Sequence, residues 1–102
     1  MKLTDDLKAR DKSHGCFYKT ARVSQSIKWV MRHEGDWTKL THIQMEALDC
    51  IAMKIARIIS GNQDWLDSWY DIQGYAELAR QDAETRSEKP ITAKDRSKPK
   101  GS

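Results

Sequence analysis

The chain has 102 residues, 38% of them hydrophobic and 32% charged, a composition that fits one small globular domain and is too polar for a membrane protein. No apolar run approaches the roughly 20 residues of a membrane span, and no apolar block near Met1 resembles a signal peptide, so a soluble, cytoplasmic protein is expected. Residues 1–85 carry twelve basic and thirteen acidic side chains, net −1, whereas residues 86–102 carry six and two, net +4; the overall charge of +3 therefore belongs to the C-terminal tail.

Taken in chain order, residues 4–12, "TDDLKARDK", can form a short leading helix capped by Thr4, although they are heavily charged. In "TARVSQSIKWVMRHEG" Val23, Ile27 and Val30 fall in helical register, Arg32 and His33 suit a last turn, and Gly35 follows as a stop, which predicts a helix over about 20–33. The clearest helix spans 41–60. Thr41 with Gln44 makes a capping-box pattern, Leu40 and Met45 occupy the positions of a hydrophobic staple, and Gly61 supplies the stop. Leu48, Ile51, Ile55, Ile58 and Ile59 define its apolar face.

The loop "GNQD" offers Asn62 or Asp64 as a cap for the next helix, 64–82, whose stripe is Trp65, Trp69, Ile72, Ala76 and Ala79. So short a loop makes the two helices an antiparallel hairpin. Gly74 falls inside this helix, where it is costly, and predicts the close approach of a neighbouring helix with Tyr75 at the contact. From Glu84 onward the chain holds both prolines, no aromatic residue and Ile91 as its one sizeable aliphatic, too little apolar area to offset ordering entropy.

These readings define an all-α protein: a helical domain over 1–83, built as a small bundle of three main helices, followed by a disordered basic tail over 84–102. Broad apolar faces on so small a core predict completion by a homo-oligomer, with Trp29, Trp37, Trp65, Trp69 and Tyr75 as candidate seam residues.

Four acids are candidates for chemistry. Glu46 and Asp49 are three residues apart and Asp67 and Asp71 four, so each pair shares one face of its helix. Converging carboxylates would suit Mg²⁺ or Mn²⁺; the alternative is a solvated face whose repulsion Lys54 and Arg57 offset. Lys54 and Arg57 are in turn candidates for phosphate binding, or for ordinary ion pairs with Asp67 or Asp71 across the hairpin. His42 lies four residues before Glu46, a spacing that also suits plain exposure in a first turn, and Cys16 and Cys50 have neither zinc-site nor disulfide-framework spacing. No nucleophile with its base is legible, and no catalytic residue is assigned.

The segments "HGCFYKTARVSQSIKWVMR" and "QMEALDCIAMKIARIISGNQDWLDSWYDIQGYAELA" resemble a family of small phage and prophage proteins known as a domain of unknown function. The resemblance covers about residues 4–82 and rests on His14-Gly15, the spacing of Lys54, Arg57 and Gly61, and on Asp67, Trp69, Asp71, Gly74 and Tyr75. It implies a phage origin and no particular activity. More remotely, the hairpin is similar to the MazG-like all-α nucleoside triphosphate pyrophosphohydrolases, with their ExxE, spacer, ExxD pattern. Glu46 and Asp49 match the first pair with one substitution and Asp71 the last acid, but Ser68 stands where that family has its third, and Asp67 is displaced by one. Two functions are thereby expected: a phage accessory protein that binds a host or phage protein without catalysis, or a Mg/Mn-dependent nucleotide hydrolase. Nucleic acid enters only through weak attraction to the tail.

Overall fold

The computed structural model describes residues 16–88 and is all-helical over that span apart from the connections: α1 (Phe17–His33), a 3₁₀ turn (Trp37–Lys39), α2 (His42–Ser60) and α3 (Leu66–Glu88). The expected leading helix over 4–12 and the tail from residue 89 lie outside the described residues.

Local chemistry sets the boundaries. At the start of α2 the Gln44 N–H donates to Thr41 Oγ1 at 3.1 Å and the Thr41 N–H to Gln44 Oε1 at 3.0 Å, the reciprocal capping box expected from the sequence. Helix α1 begins three residues earlier than expected, on the extended backbone of Cys16, and ends where His33 Nδ1 meets the Trp29 carbonyl at 2.7 Å. Before α3, Asn62 Oδ1 accepts the Asp64 N–H at 2.9 Å, an Asx turn that tightens the loop. The Trp69 indole N–H then ties that loop down by donating to the Gln63 carbonyl at 2.8 Å.

Helix α3 continues to Glu88, six residues past the end expected for it at 82. The extension is stapled from within: Arg80 pairs with Glu77 and Glu84, Arg86 pairs with Asp82, and Thr85 Oγ1 donates to the Gln81 carbonyl at 2.9 Å. Polar residues at three- and four-residue spacing stabilise an exposed helix that composition alone would class as tail.

Packing is dominated by α2. Both α1 and α3 pack along it, while α1 and α3 make no more than marginal contact with each other. Cross-helix pairs fix the direction: Thr41 with Asp82 and Lys54 with Asp71 ascend one helix as they descend the other, so α3 is antiparallel to α2. The three helices therefore lie side by side as a layer with α2 in the middle. The seams are small. Among the described residues the buried hydrophobics are Ala47, Ala52 and Ala56, joined by the buried polar residues Thr20, Ser24 and Ser68. Side chains of this size let helix axes approach closely, and larger aliphatics such as Ile27, Ile51, Ile58 and Ile72 are half-buried beside them.

Gly74 does not mark a close approach, contrary to expectation: a Cβ placed there meets nothing within 4 Å. No helix among the described residues is long and apolar enough to cross a membrane.

Candidate functional site: a charged cleft and an apolar face

One side of the layer holds an open cleft of about 380 Å³. Lys28 reaches it from α1, Glu46, Asp49, Lys54 and Arg57 from α2, and Tyr75 from α3, with Cys50 and Met53 on the floor. Four of these, Glu46, Asp49, Lys54 and Arg57, belong to the residues the sequence singles out for chemistry. Asp71 reaches the rim through Lys54, whereas Asp67 is not among the lining residues.

The acids are largely engaged. Arg32 clasps Asp49 through two hydrogen bonds, Nη1 to Oδ1 at 2.9 Å and Nη2 to Oδ2 at 2.7 Å, while its guanidinium stacks 4.3 Å from the centre of the Trp37 ring. The hydrogen bonds to Asp49 raise the Arg32 pKa above its ordinary value. Lys54 Nζ lies 2.6 Å from Asp71 Oδ2, the cross-hairpin ion pair weighed from the sequence. Glu46 accepts only a weak donation from the Cys50 thiol at 3.5 Å. Burial is the main cause that pushes the Cys50 pKa up, so the thiol stays protonated at neutral pH and is a poor nucleophile. Tyr75 is raised in turn, chiefly by its hydrogen bond to Cys50. Neither Lys28, Arg57 nor Asp67 forms an ion pair with a described residue.

The four carboxylates do not converge. In the register set by Lys54 and Asp71, Asp49 and Glu46 lie five and eight residues back along α2. At about 1.5 Å per residue that is roughly 8 and 12 Å along the helix axis. Among the described residues no group of three or more His, Cys, Asp or Glu side chains is placed to hold a metal ion. With Asp49 held by Arg32 and Asp71 by Lys54, these residues do not fit a Mg²⁺ or Mn²⁺ centre, and no metal-dependent step follows from them.

The opposite side of the layer is different in kind. Each helix turns once in about 3.6 residues, so residues roughly half a turn from the cleft include Val23 and Val30 on α1, Leu48, Ile55 and Ile59 on α2, and Trp69 and Ala76 on α3, with Trp65 just ahead of α3. These are part of the stripes the sequence shows as apolar faces; the rest, Ile27, Ile51, Ile58, Ile72 and Ala79, are half-buried. Val30, Ile59 and Trp69 remain 52%, 66% and 51% exposed, and Leu48 is exposed as well. The stripes lie beside one another on one face.

The remaining candidate seam residues divide by role. Trp29 is exposed on α1 and stacks on His33 at 4.4 Å; Trp37 is half-buried under Arg32; Tyr75 lies in the charged cleft. The sequence reading missed Arg32 as the partner of Asp49 and Lys28 as a cleft residue. The available signal was their four-residue spacing on α1, on the side away from Val23 and Val30.

Fold and surface together define a small all-α protein built as a single helix layer, charged on one side and apolar on the other. Comparisons with protein-family models, curated proteins and solved structures return no match.

Proposed function

We propose that this chain is a small phage-type accessory protein that acts by protein–protein interaction, without catalysis, in the cytoplasm of the host cell. The observation that carries this reading is the inverted distribution of apolar area. Among the described residues the buried hydrophobics are three alanines, while Leu48, Ile59, Val30 and Trp69 are exposed. An exposed apolar surface of that extent marks an interaction site. Its occupants in this reading are further copies of the chain and a host or phage protein, the phage origin resting on the residues around Lys54, Arg57 and Asp67–Tyr75 that carry the family resemblance.

The competing role is the MazG-like one, a pyrophosphohydrolase binding triphosphate through Lys54 and Arg57. It is weakened by the engagement of Asp49 and Asp71 in ion pairs. Pyrophosphate release from a panel of nucleoside triphosphates, with Mg²⁺ or Mn²⁺ present, separates the two. The interaction role expects none above the protein-free rate. Metal-dependent release that disappears in Asp71→Asn and Glu46→Gln would overturn it.

A further inference from the structure

A single layer of helices is half of an ordinary architecture, because a domain buries its apolar surface between two packed layers. Among the described residues no second layer covers either side, and only one side is apolar enough to need it. The charged side carries polar side chains that water can solvate and needs no cover, whereas the other side presents the stripes that contain Val30, Leu48, Ile55, Ile59, Trp65 and Trp69. We propose that a second copy of the chain supplies the missing layer, packing apolar face on apolar face about a two-fold axis over α2, so that the two charged clefts point outward. This pairing names a partner for the interaction role proposed above and rests on it.

Three observations favour a second copy. The first is size. Helix α2 has 19 residues, and at about 1.5 Å per residue and 8–10 Å between helix axes the face measures roughly 28 by 27 Å, close to the ~800 Å² per partner of a stable interface. The second is charge. None of the six residues is ionisable, so these positions meet their counterparts without the like-charge repulsion that a two-fold arrangement would impose on a charged patch; the charged residues nearest them, Glu77 and Arg80 beside Ala76, already pair with each other. The third concerns the chain's own flanks. Residues 1–15 and 89–102 contain only Met1, Leu3, Leu7 and Ile91 as sizeable apolar residues, too few to cover three helical stripes.

The test is sedimentation equilibrium of the full chain at micromolar concentration, repeated for the double variant Leu48→Asp, Ile59→Asp. Both residues are exposed in the single chain, so the double variant should keep its helical circular dichroism while its dimer dissociation constant rises at least about 100-fold. Arg57→Glu, on the opposite face, should leave the dimer unchanged. If the double variant loses helicity, Val30→Asp and Trp69→Ala, on the two outer helices, decide in its place, and both should weaken the dimer. A monomeric wild-type chain overturns the pairing, as does a stoichiometry other than two, or a dimer that Arg57→Glu disrupts and the apolar-face variants spare. A wild-type monomer without nucleotide turnover overturns the second copy alone and leaves the interaction role standing. Metal-dependent turnover overturns the role itself, whatever the mass.

Discussion

The two sides of the helix layer are built from the same three helices and have opposite chemistry. On the cleft side, two of the acids are matched within the chain: Arg32 answers Asp49 at 2.7 Å and Lys54 answers Asp71 at 2.6 Å. On the other side, apolar side chains such as Ile59 and Trp69 are left exposed by the described residues. The difference shows that a surface made of ion pairs can be complete within one chain, whereas an apolar surface is complete only when water is excluded from it. Surface ion pairs contribute about 0–1 kcal/mol each, so the cleft side adds little stability of its own, and the apolar side holds the larger unspent driving force.

The sharpest way to break this comparison is to charge the apolar face, where the Leu48→Asp, Ile59→Asp variant is expected to give the largest effect on assembly. Next comes the seam that keeps both faces in place. Ala56 is fully buried, so Ala56→Leu must push a helix off α2 and is expected to cost about 1–3 kcal/mol in urea unfolding. Unchanged stability would mean that the helices are not held by their small residues.

A smaller effect tests whether the outer flank of α3 is open, where Gly74 lies with Tyr70, Gln73 and Glu77. Since a Cβ on Gly74 meets nothing within 4 Å, Gly74→Ala should stabilise α3 by up to about 1 kcal/mol through helix propensity. A loss of stability there would reveal a partner surface close to Gly74, and the covered area would extend beyond the apolar face.

The smallest effect is on pH. Hydrogen bonds from Arg80, and then from Gln81, hold the Glu77 carboxyl down at about 2 from its ordinary 4.5. A depressed carboxylate stabilises the folded form above its unfolded value, so the contribution is complete above pH 4.5 and is lost as pH falls from there towards about 2. The C-terminal half of α3 should therefore lose helicity over that window, and Glu77→Gln should flatten that part of the titration. The apolar-face residues carry no titrating group, so the dimer mass should be constant above the window. A mass that changes with the helicity would place Glu77 or Arg80 at the interface.

The sequence by itself determined the local features. The Thr41–Gln44 box, the Asn62 turn and the stripes of Val23, Leu48 and Trp69 depend on residues within a turn or two of one another, and periodicity reads such patterns directly. The continuation of α3 was legible in principle, since Arg80 with Glu84 and Asp82 with Arg86 are four apart, but the proline-rich composition further on masked it. Tertiary structure alone decided what the stripes face. A closed three-helix bundle and an open layer use the same helical pattern, and the choice follows from where α1 and α3 dock around α2. Small seam residues at Ala47, Ala52 and Ala56 place those contacts on its flanks, which leaves Leu48, Ile55 and Ile59 on an open side. The same docking selected Arg32, seventeen residues away, as the partner of Asp49. Spacing along a helix could not have chosen it, because the contact exists only once two helices are laid side by side.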